Sequence, residues 1–285
     1  MTALISVVIP CLNGARDLPR QLDALLAQEV DAAFEVVVAD NGSGDGSRDV
    51  VAAYGARDAR VRGVDASGVR GINHARNAGV RHARGEFVLL CDCDDEVQPG
   101  WLAAMDRARA AGHACVGGDL IRELPDGSLV ARESGVERVT WPDVPRPFGA
   151  NCGFRREVWE RLGGFDESFK GGGDESDFFY RAHLAGYPTT AVRGAAIRYA
   201  ERDGFRAIAR QYFNYGKGRA KLYRKFQEHG MPRPAPWRLP LVVAGALVFI
   251  LLGGRNGRQR RRGVGLLANR AGRLVGSWRE RTYCV

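Results

Sequence analysis

Four acidic residues fall within five positions in "LLCDCDDEVQPG", residues 89–100, directly after an apolar run. Asp92 and Asp94 are two apart, so in an extended segment both point to one side. Paired carboxylates at a strand end make a hard-oxygen site for Mn2+ or Mg2+, with positions left for water and diphosphate oxygens. The competing reading is a solvated acidic turn, with Asp95 capping a helix that starts near Pro99. Cys91 and Cys93 alternate with the aspartates, but two cysteines without two further suitably spaced ligands are weak grounds for a zinc site. Asp40 closes a second apolar run, "FEVVVAD". A third group, "DESDFFYR" from Asp174 to Arg181, follows a glycine triplet. Asp177 and Arg181 stand four apart there, the spacing of a helical ion pair.

The elements that must carry these groups alternate. "LISVVIP" (4–10), "FEVVVAD" (34–40), "RVRGV" (60–64) and "EFVLL" (86–90) read as strands. Helical spacing marks 17–28, a helix starts at 48–55, and 73–85 reads as a helix closed by Gly85. This order predicts an α/β fold: a Rossmann-like, mostly parallel sheet flanked by helices. Ligands in such sheets bind beyond the carboxyl ends of the strands, so Asp40 and Asp92–Asp95 share one crevice. Further on, 120–133 reads as a hairpin at Asp126-Gly127, and 155–165 and 175–187 as helices. The Gly171–Gly173 run reads as a mobile approach to the last of these.

Charge divides the chain in two. Residues 202–285 hold 19 lysines and arginines against 3 acidic residues; residues 1–201 hold 23 against 30. The expected organisation is therefore a domain over 1–200 and a basic helical region over 201–285. That region begins with a basic, aromatic helix over 203–229, whose stretch 210–226 taken alone suits single-stranded nucleic acid. The apolar segment 239–252 would span about 21 Å as a helix, short of the ~30 Å hydrocarbon core. "RNGRQRRR" (255–262) and a leucine- and arginine-bearing stretch (264–278) follow. Together they predict monotopic attachment to an anionic membrane surface, against the alternative of a helix buried on the core. The start "MTALISVVIP" has no basic leader, and six cysteines lack framework spacing. A cytoplasmic protein at the inner face of the membrane is the expectation.

Four segments in order, "VVIPCLNGARDLPRQLDALLAQ", "EVVVADNGSGDGS", "ARNAGVRHARGEFVLLCDCDD" and "GGFDESFKGGGDESDFFYRAHLAGY", resemble family-two nucleotide-sugar glycosyltransferases with the GT-A fold. The likeness covers roughly residues 4–200 and points to a bacterial, membrane-associated member acting on cell-envelope polysaccharide. It implies a divalent cation on the Asp92-Cys93-Asp94 motif, with Asp94 the ligand and Asp92 nearer the ribose. It implies that Asp40 accepts a hydrogen bond from the nucleotide base, and that Pro10 and Asn13 lie in the loop lining base and ribose. Relatives often carry an aromatic residue where this chain has Leu12. Asn77 matches a recurrent position, read as nucleotide-binding or as satisfying backbone groups. Asn151 is read beside donor sugar and acceptor.

The resemblance also implies inverting transfer, which needs a carboxylate to take the acceptor's proton. Aligning Asp177 and Arg181 puts Glu175 at that position with Asp174 beside it, in an order reversed from the family's usual pair. Asp177 and Arg181 orient the turn. The implied partners are a nucleoside-diphosphate sugar, UDP-linked by preference, and a glycan or lipid-linked acceptor, with no nucleic acid. Two other classes compete. A nucleotidyltransferase needs a Gly-rich basic loop after the first strand, where this chain has only Gly14 and Arg16. A non-catalytic sugar-nucleotide or membrane-binding protein has no need of intact carboxylates at 40, 92, 94 and 175.

Overall fold

The computed structural model describes residues 4–124, 126–138, 141, 145–202, 204–251 and 257–284. Three apolar runs form the centre of a sheet: β1 (Leu4–Cys11), β2 (Ala33–Asp40) and β4 (Phe87–Cys91). They are buried on both faces because helices cover both sides: α1 (Leu18–Leu26), α2 (Ser47–Arg57) and α3 (Ile72–His82). β3 (Val61–Asp65) lies at the edge. The order β3-β2-β1-β4 is parallel throughout.

Beyond β4 the sheet is mixed. β10 (Asn151–Arg155) runs antiparallel between β4 and β6 (Cys115–Glu123), and β11 (Thr189–Ala200) runs parallel to β6. β5 (Glu96–Val97) pairs β11, and β7 (Leu129–Glu133) completes a hairpin with β6. β8 (Glu137–Arg138) and β9 (Pro145–Arg146) form a separate ribbon. The helices of this half are α4 (Trp101–Ala110), α5 (Arg156–Leu162) and α6 (Asp174–Leu184). Trp101, Phe87, Phe154 and Phe178 are among its fully buried side chains.

Two sequence expectations change. α3 ends at His82, so Gly85 is not its cap. A Cβ on Gly85 would come within 2.6 Å of the Leu4 carbonyl oxygen, and its N–H donates to Ser6 Oγ at 2.8 Å. The glycine there lets the chain cross β1 closely. α4 is capped at Gly100, not at Asp95, which is buried five residues earlier.

Contacts divide the chain into two units: Met1–Glu167 with Glu175–Glu201, and Ser168–Asp174 with Arg202–Val285. The second contains α7 (Phe205–Phe226), a 3-10 turn (Gln227–His229), α8 (Arg238–Leu251) and α9 (Gly257–Arg279). α7 and α9 approach closely because glycines line the seam. A Cβ on Gly272 would strike the Phe213 carbonyl, and one on Gly276 would lie 2.8 Å from Ala220 Cβ. Gly172 and Gly173 press against α7 in the same way, at Asn214 and Leu222. The glycine triplet therefore answers a need for close packing.

Candidate active site

The sheet brings the predicted carboxylates together by topology. β1 lies between β2 and β4, so its end faces Asp40 on one side and the acidic turn on the other; Cys11 is the register partner of Asp40.

On the first side, the loop after β1 is tied to the loop after β2. Asn13 adopts a positive φ of 55°. Its N–H donates to Ser43 Oγ at 2.9 Å, and its Oδ1 accepts from the Gly44 N–H at 3.0 Å. Gly14 N–H donates to Ser47 Oγ and Ala15 N–H to Asp45 Oδ2. Pro10 is buried in β1, while Leu12 projects at 44% exposure. Asp40 is buried and accepts from Ser43 N–H and, at 2.6 Å, from Arg48 Nε. Burial pushes the Asp40 carboxyl up, but the bonds from Ser43 and Arg48 outweigh it and hold the group below its ordinary range. Asp40 is thus a carboxylate, an acceptor, at neutral pH.

On the second side, β4 stops at Cys91 and residues 92–95 form a turn. The aspartates do not alternate along a strand; they converge by curling. Asp92, Asp94 and Asp95 each offer an oxygen, and these lie within 4.8 Å of one another, the one such group among the described residues. The curl lets Asp95, read from sequence as a cap, join the other two. α1 fixes the backbone: Gln21 Nε2 donates to the Asp92 carbonyl, Gln21 Oε1 accepts from Val97 N–H, and Arg20 donates to the Asp94 carbonyl. Gln21 is fully buried on α1, and its sequence signal was only a polar residue amid leucines.

Arg76 is the residue the sequence reading passed over. It is 2% exposed on α3, with Nη2 3.9 Å from Asp92 Oδ1 and 3.4 Å from the Gly149 carbonyl oxygen. A buried arginine beside a carboxylate cluster offsets charge that would otherwise repel. A Cβ on Gly149 would sit 2.9 Å from Arg76 Nη2 and 3.4 Å from Glu175 Cβ, so Gly149 bridges the two. Burial pushes the nearby Cys152 thiol up, and Arg76, Glu175 and Asp92 all act on it. Glu175 Oε1 accepts from Arg146 Nη1 at 3.1 Å, and the same nitrogen donates to Ser176 Oγ at 2.9 Å. Asp174, one residue earlier, is more deeply buried.

Other predicted residues serve the frame. Asn77 Oδ1 accepts from Trp159 Nε1 and Phe165 N–H, while its Nδ2 donates to Phe165 O and Glu167 Oε1. Those four bonds use its whole capacity, which leaves none for a nucleotide. Asn151 is fully buried: its Oδ1 accepts from Trp101 Nε1, and its Nδ2 donates to the Asp119 and Ala195 carbonyls. Both donors are spent inside the fold. Arg181 binds Asp177 at 2.8 Å and donates to the Leu162 and Gly164 carbonyls, joining α6 to the end of α5.

Comparison with known proteins agrees with this arrangement. The sequence pattern described as glycosyl transferase family 2 matches residues 6–163. The succinoglycan biosynthesis protein ExoA of Rhizobium meliloti is 27% identical over 265 residues, 86% of this chain and 78% of that protein. The glycosyltransferase AglE of Haloferax volcanii is 25% identical over 228 residues, 77% of this chain and 74% of AglE. Among solved structures, the mannosyltransferase PcManGT from Pyrobaculum calidifontis, in complex with GDP-Man and Mn2+, is similar with a TM-score of 0.69. It is 21% identical, over 98% of this chain and 88% of that one. S. aureus TarS 1-349 in complex with UDP-GlcNAc gives 0.54 at 17% identity, over 98% and 92%. The family pattern runs from β1 to the end of α5 and so takes in both strand-end loops and the acidic turn. The fold around them is GT-A, and the chain belongs to glycosyl transferase family 2 as a glycosyltransferase.

Proposed function

We propose that this enzyme moves a sugar, with inversion, from a nucleoside-diphosphate donor to a hydroxyl of a glycan or lipid-linked acceptor. A UDP-sugar is the favoured donor, and Mn2+ or Mg2+ the cofactor. The observation that carries the reading is the meeting of Asp92, Asp94 and Asp95 with Arg76, which Gly149 joins to Glu175. Three carboxylate oxygens within 4.8 Å are a donor set fitted to a hard divalent ion. Asp94 and Asp92 are its proposed ligands, and Asp95 completes the set. When bound, the cation neutralises charge that builds on the leaving diphosphate. PcManGT, which is similar in fold, was solved with GDP-Man and Mn2+.

The chain's own residues do the rest. Asp40 accepts from the nucleotide base, in a pocket shaped by Pro10 and the loop that Asn13 pins. Glu175 takes the proton of the acceptor hydroxyl as its oxygen attacks the anomeric carbon and the bond to the diphosphate breaks. Asp174 is the alternative base; its deeper burial favours Glu175. Arg146 aims the Glu175 carboxylate, and the Asp177–Arg181 pair steadies the helix that carries it. The second unit attaches the enzyme to the anionic cytoplasmic face of a membrane, where a lipid-linked acceptor lies.

Calorimetric titration of UDP, GDP and dTDP, with and without Mn2+, into wild type and Asp94→Ala tests the donor side. One nucleotide should bind in a Mn2+-dependent manner, and the variant should lose it. Binding indifferent to Mn2+ would remove the cation from the reading; no binding to folded protein would remove the donor.

A further inference from the structure

Two cysteines meet at this site, and nothing in the transfer reaction uses them. In the β1–β4 ladder Ile5 pairs Phe87 and Val8 pairs Leu90. β1 ends at Cys11, and Cys93 lies in the turn two residues beyond the end of β4, so both cysteines stand at the same end of these neighbouring strands.

A Cβ on Gly14 would stand 2.9 Å from Cys11 Sγ and 3.0 Å from Cys93 Sγ, so both sulfurs converge on the space that this glycine leaves open. Cys11 is buried and Cys93 is partly exposed, so a small oxidant reaches the pair from the crevice. All six cysteines are free in this structure, and Cys91, two residues before Cys93, is fully buried in the core.

We propose that Cys11 and Cys93 form a reversible redox-modification site, closed to a disulfide by a peroxide, that disables the acidic turn. Peroxide oxidises one sulfur of the pair: S–H and HOOH give S–OH and water. The thiol of the other then attacks that sulfur, forming the S–S bond, and its proton leaves with the hydroxyl as a second water. Two electrons pass from the two sulfurs to the peroxide, and a dithiol reductant returns them. Cys93 stands between Asp92 and Asp94. A covalent tie from it to the end of β1 pins the turn that must shape itself around a cation and a diphosphate.

The effect on binding rests on the cation reading above; formation of the bond does not. Full-length reduced protein is treated with hydrogen peroxide, then alkylated, digested and mapped by mass spectrometry, while Mn2+-dependent nucleotide binding is followed on the same samples. The expected result is a peptide containing Cys11 joined to one containing Cys93, lighter by two hydrogens. Nucleotide binding is lost with it and regained after dithiothreitol. Cys11→Ser and Cys93→Ser should each keep binding through the same treatment. If both thiols stay alkylatable in the folded wild type, or Cys11 joins a different cysteine, the site is refuted. Joined peptides with unchanged nucleotide binding, or equal loss in Cys11→Ser, would refute the control while leaving the donor reading intact. Absence of nucleotide binding before any oxidation would count against the donor reading alone, since the joined peptide is still scored.

Discussion

Glu175 and Asp174 are neighbours with unequal surroundings, and the difference favours Glu175 as the proposed base. Glu175 keeps 19% of its side chain exposed and is held by Arg146, whereas Asp174 is 5% exposed overall. Glu175→Gln keeps the size of the side chain and an oxygen for Arg146 but cannot take a proton. It should leave nucleotide binding unchanged and lower kcat by on the order of 10²–10⁴-fold, the contribution of a positioned base. Asp174→Asn should cost far less, and steady-state transfer assays on both variants test the order. Asn77 tests the opposite kind of assignment. Asn77→Ala leaves the Trp159 and Phe165 N–H donors without their partner in the interior. Unfolding by urea should show a loss on the order of 3 kcal/mol, while the folded protein binds nucleotide as before. Read from sequence, Asn77 stood as either a nucleotide contact or a partner of backbone groups, because a residue type does not show that its bonds are already filled. Arg76 was illegible for a related reason: only the fold shows that this arginine is buried against Asp92. Asp40, Asp92 and Asp94 were legible because each ends an apolar run, and a strand's end is a place that sequence pattern alone can mark.

Elements hold these residues through a few buried polar ties, and one of them carries a pH signature. Glu35 on β2 accepts from Ser6 Oγ of β1 at 2.7 Å, from the Arg84 N–H and from Arg62 of β3. Burial pushes its carboxyl up, but those donors outweigh burial and hold it below its ordinary value of 4.5. A depressed folded-state value means that the carboxylate stabilises the fold above that ordinary value. The contribution is lost as pH falls through the lower, folded-state value. Ser6→Ala removes one of the donors and also the acceptor of Gly85 N–H. It should destabilise by about 2–3 kcal/mol near neutral pH. The difference from wild type should shrink as pH drops below 4.5, down to the share owed to Gly85. Urea unfolding at a series of pH values measures it; a pH-independent difference would put the whole effect on Gly85. None of this was readable beforehand, since a lone glutamate near the start of "FEVVVAD" does not show which donors surround it. The strands themselves were readable, as was the hairpin at Asp126-Gly127. The two-residue spacing of Asp92 and Asp94 suggested strand alternation, whereas a turn delivers them and brings Asp95 as well. Arg146 lies on a two-residue strand, β9, too short for any period to show.

At the scale of the whole chain the question is why an acidic body, residues 1–201, carries so basic an extension. No helix among the described residues is long and apolar enough to cross a membrane. α8 nevertheless turns Leu241 and Leu251 outward at 63% and 73% exposure, and Trp278 of α9 stands at 81%. One face of α8 is occupied: Ala246 is fully buried, and a Cβ on Gly263 of α9 would come within 2.7 Å of its carbonyl oxygen. The buried-helix alternative thus accounts for that face only, leaving leucines and a tryptophan outward on a unit rich in arginine. That combination is what an interfacial anchor requires and supports the proposed attachment, in which apolar area would enter the headgroup boundary while arginines meet anionic lipid. Arg258, Arg260, Arg261 and Arg262 at the start of α9 supply the charge next to α8 in sequence. Each basic residue near such a surface contributes about 1 kcal/mol, screened by salt over a length of about 8 Å at physiological ionic strength. The full chain should therefore sediment with phosphatidylglycerol vesicles at low salt and much less with phosphatidylcholine. Added salt should weaken the attachment without abolishing it, because the apolar share is not screened. Leu241→Asp, on the outward face, should remove that salt-resistant share while leaving the unit folded. Release of wild type by salt alone would make the contact purely electrostatic. Failure to bind anionic vesicles at all would return α8 to the role of an intramolecular cover.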